Sequence, residues 1–425
     1  MVFIIGPKLI AVLVFLGVYL LIMLGLRELT VASLAGVAIL LLTGVLSWGE
    51  ALGYVDFDVL GLLIGVMMLI HMLNEVGFFR WLGIHLANLA RCDPLKMMLI
   101  FVFITFLLSS FTIANVVTVL LMAVVMMEIS EMLEIDPRPF IMGLIFASNI
   151  GGMTTSISSL PNILVALAFD ISFWDFTVHM LPLDLVNLVM LIFLFVVVKK
   201  QQIAGVKPKY KRIPIDPSEV IRDKYLMAFL LAMLVALVSG LIFSSFIGLS
   251  PGALALIIAA VALIVAGERV GPVIKEVDWE TVFSITCLLI LVGGLEKAGV
   301  IHDLSTAIIS LHAGMAADLM IIFWSSVLVS CFVDNVPFTI ALISVLRDLM
   351  ASGVNVRPLA WALVAGAGIG GNGTVVASYA NIVVVGETSR RGYRIDPRSF
   401  ARLGIPFVLA SAAITSGILL LVFRS

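Results

Sequence analysis

The sequence predicts an all-α polytopic membrane protein: two inverted repeats of five spans plus one re-entrant hairpin each, with broken helices at the midplane. Three observations carry this. Of the 425 residues, 62% are hydrophobic and only 12% charged, about half the charged fraction of a soluble domain. Apolar stretches such as "LIAVLVFLGVYLLIMLGL" and "YLMAFLLAMLVALVSGLIF" reach the ~20 residues that a helix needs to cross a bilayer. The chain also repeats itself. "DFDVL" at 56–60 matches "DWETV" at 278–282, and Gly77 then aligns with Gly299. "SFTIANV" at 110–116 matches "SCFVDNV" at 330–336, and "IGGMTTSISSLPNI" at 150–163 matches "IGGNGTVVASYANI" at 369–382. The offset drifts only from 222 to 219 residues, in unchanged order.

The repeat divides the chain into residues 1–200, a basic cytoplasmic linker at 201–220, and residues 221–425. In the first half the expected elements are spans at 7–26, 30–46 and 57–74, an amphipathic stretch at 78–92, broken segments at 96–132 and 138–169, and a last span at 176–198. The second half repeats them at 224–246, 250–267, 280–296, 302–313, 319–351, 358–387 and 401–423. The alternation of an outer-membrane barrel is absent. The first apolar segment lacks a basic start and a small-residue cleavage site, so it reads as a permanent span. Cys92, Cys287 and Cys331 are widely spaced and fit neither a disulfide framework nor a metal site.

Charge settles how the segments 96–132 and 319–351 run, because Lys and Arg collect in cytoplasmic loops. As re-entrant hairpins they place 20 of the 25 basic residues inside; as crossing spans they give 15 inside and 10 outside. The hairpin arrangement is preferred, and its odd number of crossings inverts the second half relative to the first, as in many secondary transporters.

Each half then carries two polar interruptions at membrane depth. Such backbone is tolerated only where protein or a watery cavity satisfies it. The glycine pairs Gly151–Gly152 and Gly370–Gly371 are expected to permit the breaks through their backbone freedom. Broken helices free carbonyls that suit cations and N–H groups that suit oxygen-rich solutes. The candidate ligands are Ser110, Asn115, Asn149, Gly151, Gly152, Thr154, Thr155 and Asn162 from the first half. Ser330, Asp334, Asn335, Gly370, Gly371, Asn372, Thr374 and Asn381 come from the second, with Ser378 as a further oxygen donor at its break. Small polar residues also pack helices, so it is the matched set, at paired breaks, that points to a site. Asp334 is the one ionisable residue between Leu319 and Leu346, and a mid-membrane carboxylate costs at least ~2.5 kcal/mol. It is the candidate for proton coupling; its alternative role is to cap the hairpin helix. Ala114 holds the matched position, so one such carboxylate is expected. Asp184 and Asn187 read as lying near the outer end of the last span, facing neighbouring helices. Cys331 reads as a small buried hydrophobe.

At "VDWETVFSITCLLILVGGLEKAGVI", "SCFVDNVPFT", "SNIGGMTTSISSLPNI" and "GGNGTVVASYANIVVVG" the chain resembles the ion transporter superfamily. It most resembles the group of arsenite permeases and sodium–proton antiporters, including permeases of the melanosomal P-protein type. The related divalent anion–sodium symporters imply homodimers, a scaffold part and a mobile part, and elevator-type movement. By that resemblance Ser110, Asn115 and Gly151 form one sodium site, and Ser330, Asn335 and Gly370 the other.

The expected function is secondary active transport rather than enzyme catalysis, in the cell membrane, without a cofactor and with a proton or sodium as coupling ion. The partners are the lipid bilayer, a small inorganic solute or anion, and a second copy of the chain, with no nucleic acid. The first expectation is efflux of arsenite or antimonite against protons. The alternative is sodium-coupled transport, as sodium–proton antiport or sodium–anion symport. A channel would conduct without coupling, and an intramembrane protease needs a Ser–His or paired-Asp arrangement that the breaks do not offer.

Overall fold

The computed structural model of the chain describes residues 6–23, 29–111, 115–204, 209–243, 248–267, 273–303, 306, 314–332 and 335–423. Among these, every regular element is helical. The first half holds α1 (Pro7–Met23), α2 (Leu29–Leu42), α3 (Trp48–Gly53), α4 (Phe57–Glu75) and α5 (Phe78–Leu89). It continues with α6 (Pro94–Phe111), α7 (Asn115–Leu133), α8 (Arg138–Gly151), α9 (Leu160–Ala168) and α10 (Phe173–Ala204). The second half holds α11 (Lys224–Ile242), α12 (Pro251–Ala266), α13 (Val273–Glu276), α14 (Trp279–Lys297) and α15 (Met315–Ser330). Then follow α16 (Asn335–Ala351), α17 (Arg357–Gly370), α18 (Tyr379–Arg390) and α19 (Pro397–Phe423). The second amphipathic stretch, 302–313, lies largely outside the described residues.

Local chemistry sets the helix ends. Asp56, Asp223 and Asp278 accept backbone N–H groups at the starts of α4, α11 and α14, which satisfies donors that a helix start leaves free. Ser47 and Glu50 form a reciprocal capping box on α3, a short helix between the expected spans at 30–46 and 57–74. At the repeat-related positions after α4 and α14, Gly77 and Gly299 take φ of +89° and +78°, the left-handed conformation that ends helices cheaply in glycine.

The chain between the halves fixes one face of the molecule. Lys209 N–H donates to Leu133 O at 3.1 Å, and Arg222 N–H to Val76 O at 3.1 Å. Ile213 N–H donates to Asn88 Oδ1 at 2.8 Å. The ends of α4, α5 and α7 therefore share the linker face, and α6 starts five residues after α5 ends. Both α6 and α7 are long and apolar enough to cross a membrane, yet the pair begins and finishes on one face. On the opposite face, Lys297 at the end of α14 bonds Glu50 at 2.5 Å. Ser344 of α16 donates to Glu296 at 3.2 Å, and Lys8 pairs with Asp303. The second hairpin, α15–α16, thus has its α16 end on the face opposite to the linker.

Each hairpin runs alongside a broken span in parallel register. A Cβ at Gly143 would meet Met98 Sδ at 2.8 Å, and one at Gly151 would meet Phe106 O at 2.3 Å. Along α15 and α17, a Cβ at Gly366 would meet Phe323 O at 2.5 Å, and one at Gly370 would meet Val327 O at 2.6 Å. The first arm of each hairpin therefore stops level with the break beside it. This corrects the role expected of the glycine pairs. Gly152 (φ −63°) and Gly371 (φ −52°) cap their helices in ordinary right-handed conformation. Glycine is needed at 151 and 370 for close approach, not for unusual backbone. Behind the breaks, Phe146 of α8 packs against Phe195, Phe400 and Phe407 at 6.3, 5.2 and 5.6 Å between centroids, which joins α8 to α10 and α19.

Candidate functional site

The two breaks are braced by the same hydrogen bonds. Asn162 Nδ2 donates to Gly152 O at 3.0 Å and Thr155 O at 2.7 Å. Asn381 Nδ2 donates to Gly371 O at 2.8 Å and Thr374 O at 3.0 Å. Thr155 donates to Ser110 O at 2.6 Å, and Thr374 to Cys331 O at 2.7 Å, so each break is tied to its hairpin tip. Ser110 donates to Phe106 O at 2.8 Å and lies 3.1 Å from the Thr154 hydroxyl. Non-helical carbonyls at membrane depth thus find donors within the protein.

Asn149 joins the halves. Its amide lies within 3.2 Å of Gly371 O and Asn372 Oδ1, and 3.0 Å from Asn381 Oδ1. Asn149, Thr154, Thr155, Asn162, Asn372, Thr374 and Asn381 are therefore taken up largely in holding the breaks together, although they were expected as ligands. Ser330 differs: its hydroxyl is fully buried and, among the described residues, without a hydrogen-bond partner, beside Gly370, whose Cβ would stand 2.7 Å from Ser330 Cβ. Asp334 and the Asn115 side chain lie outside the described residues.

The open space lies elsewhere around the same breaks. A small cavity of about 60 Å³ is lined by Val116, Ser159, Asn335 and Ser378 together with Thr281 and Ser284. Its walls include the first residues of four half-helices, α7, α9, α16 and α18, closed by the first half of α14. Ser159 and Ser378 stand at the N-cap positions of α9 and α18, and neither uses its side chain to cap. A cavity of about 680 Å³ is bounded by the same α9, α14 and α16 at Leu164, Leu289 and Ile340 and lined also by Asp56, Asp58, Glu296 and Arg347. Of the residues expected at the breaks, the small cavity collects Asn335 and Ser378 directly. Ser159, Thr281 and Ser284 were missed. A serine just before "LPN" is an N-cap signal that was legible; Thr281 and Ser284 belong to a span with no break, so nothing marked them.

Asp184 also departs from expectation. Ser172 accepts the Asp175 N–H at 3.1 Å and starts α10 at Phe173, so Asp184 lies about 16 Å along the helix. It is 0% exposed, facing neighbouring helices as expected, but it is a carboxylate well within a span rather than a residue near the outer end. Cys331 is buried, as read from the sequence.

A sequence profile described as citrate transporter (CitMHS) matches residues 19–366. The chain belongs to this citrate transporter family. It is a multi-pass membrane transporter of the cell membrane. Among its relatives, an uncharacterized transporter of Mycobacterium tuberculosis is 32% identical over 423 residues, covering 96% of both chains. The P protein of Homo sapiens is 27% identical, matched over 95% of this chain and 59% of that longer one. Among solved structures, the YdaH transporter of Alcanivorax borkumensis, described as having an unusual topology, shares the fold with a TM-score of 0.58 at 15% identity, over 87% of this chain and 86% of that one.

Proposed function

We propose that this member of the citrate transporter family is a secondary active transporter that holds a small, oxygen-rich solute where four half-helix N-termini meet. The observation that carries this reading is the cavity at Ser159, Asn335 and Ser378. Each helix start presents free N–H groups and about half a positive charge, and no Lys or Arg lines the cavity. At about 60 Å³ it has room for roughly four or five water-sized bodies. An inorganic oxyacid such as arsenite or antimonite fits that size, and export in exchange for protons is the corresponding function. The two halves act as inverted repeats, with Asp334 as the proton-coupling carboxylate, and a dimer moves them by an elevator mechanism.

Ser159→Ala and Ser378→Ala should each raise the KM for arsenite in everted vesicles by roughly tenfold, the loss of one hydrogen bond. Thermal stability should hardly change, because neither hydroxyl caps its helix. An unchanged KM in both variants would overturn the placement of the solute.

A second reading, sodium-coupled transport of a carboxylate anion, is favoured by the family's description and by the unpartnered Ser330 hydroxyl beside Gly370. It requires the small cavity to open into the larger one. Sodium-dependent thermal stabilisation, lost in Ser330→Ala, would select it over the first.

A further inference from the structure

We propose that Asp184, in the last span of the first half, takes up and releases a proton, with Asn187 and Thr154 as the partners of its acid form. Asp184 is fully buried, and among the described residues neither carboxylate oxygen has a hydrogen-bond partner. Asn187 lies one turn further along the same face of α10. Its amide nitrogen is spent on Leu183 O at 3.0 Å and Thr415 Oγ1 at 3.3 Å, which leaves Asn187 Oδ1 buried without a donor. Among the described residues, three buried acceptor oxygens one turn apart on a single helix face are thus each without a hydrogen-bond partner. Buried polar oxygens are rarely left so, and an ionised carboxylate without a partner is the costliest case.

A single proton on Asp184 resolves the deficit. The acid O–H then donates to Asn187 Oδ1 or to the neighbouring Thr154 hydroxyl. Among the described residues no basic side chain pairs with Asp184. The elements packed on α10 are α6, α8, α11, α17 and α19. Their basic residues are Lys96, Arg138, Lys224, Arg357, Arg398 and Arg402, and none forms an ion pair with Asp184 among the described residues. Arg138 pairs with Asp136 at 2.8 Å, and Arg357 with Asp175 at 3.6 Å. On α10 itself, His179 is committed to Asp175 at 3.2 Å.

The connection to transport runs through Thr154. Its Oγ1 lies 3.1 Å from the Ser110 hydroxyl at the hairpin end, whose single hydrogen serves either Phe106 O or Thr154; when it serves Thr154, the Thr154 hydrogen is free to point to Asp184 once the acid is deprotonated. Gain or loss of one proton on α10 therefore reorients the hydrogen bond between the first hairpin and the first break. This role in coupling rests on the transporter reading; the protonation itself does not.

Infrared spectroscopy of the reconstituted protein tests the protonation. The wild type should show the C=O stretch of a protonated carboxylic acid that disappears reversibly at alkaline pH and is missing from Asp184→Asn. A wild-type spectrum without such a band, or a band unchanged in the variant, would overturn the proposal. In the same proteoliposomes Asp184→Asn should keep solute exchange at equal pH and lose accumulation driven by a pH gradient. Thr154→Val should keep the band and slow the driven uptake. Gradient-driven accumulation at the wild-type level in Asp184→Asn would sink the coupling role. Absence of exchange with every solute in the wild type would instead refute the proposed function and leave the infrared result to decide Asp184. Loss of the wild-type sodium response in Asp184→Asn would show a sodium site in place of the proton.

Discussion

A single amide holds the two breaks in register. Asn149 reaches Gly371 O, Asn372 Oδ1 and Asn381 Oδ1 from the other half of the chain. All of these atoms are buried, so removing the donor strands acceptors that water does not reach. Asn149→Ala should lower stability by about 2–4 kcal/mol, from one lost bond plus the desolvation of its partners, read as a fall in Tm in detergent. Asn149→Asp should be worse, because it sets an acceptor against acceptors. The repeat-related position in the second half is Gly368, where a Cβ would stand 2.1 Å from Met153 Cγ, so the cross-link is made once and not twice.

At the scale of helices, close approach of backbone to backbone decides what the breaks look like. Gly151 and Gly370 let α8 and α17 lie directly against carbonyls of α6 and α15. Alanine at either position meets a rigid backbone oxygen rather than a pliable side chain. Gly151→Ala and Gly370→Ala should each cost about 1–3 kcal/mol by overpacking and should sharply reduce transport, since the hairpin tip is pushed off the break that it serves. Uptake assays beside thermal unfolding separate the two effects. A variant with full transport and unchanged Tm would contradict the packing. The same helices show where the sequence was legible. The polar interruptions marked both hairpins and both broken spans, because a run of Gly, Ser, Asn and Pro in apolar sequence is a local signal. The reason for the glycines was not legible, because it depends on which helix lies alongside.

For the whole molecule, ion pairs at its two faces tie together parts far apart in sequence. On the linker face Arg222 meets Glu75 at 2.9 Å and Lys209 meets Glu134 at 2.6 Å. On the other, Lys297 meets Glu50 at 2.5 Å and so joins the halves. Hydrogen bonds from Lys297, and then from Ser47, hold the Glu50 carboxyl down to about 2. A carboxylate with a depressed folded-state value stabilises the fold above its ordinary range, near 4.5, and loses that contribution as the pH falls toward 2. Glu50→Gln should therefore lower Tm slightly at neutral pH, the pair being exposed to solvent and screened. The difference from wild type should shrink through the acid range and vanish near pH 2. A constant difference at every pH would mean that the carboxylate charge is not what joins α3 to α14.

Hydropathy, the internal repeat and the polar interruptions, all read along the chain, determined the spans, the duplication and the position of the breaks, because each is set by residues close together in sequence. Tertiary packing alone decided which oxygens are spent and which are open. Asn162 and Asn381 turn inward to brace carbonyls, Ser159 and Ser378 are left facing a cavity, and Asp184 is sealed between helices with no hydrogen-bond partner among the described residues. A polar side chain has the same capacity for hydrogen bonds wherever it stands; only the neighbours brought to it by folding determine whether that capacity is satisfied or left for a solute or a proton.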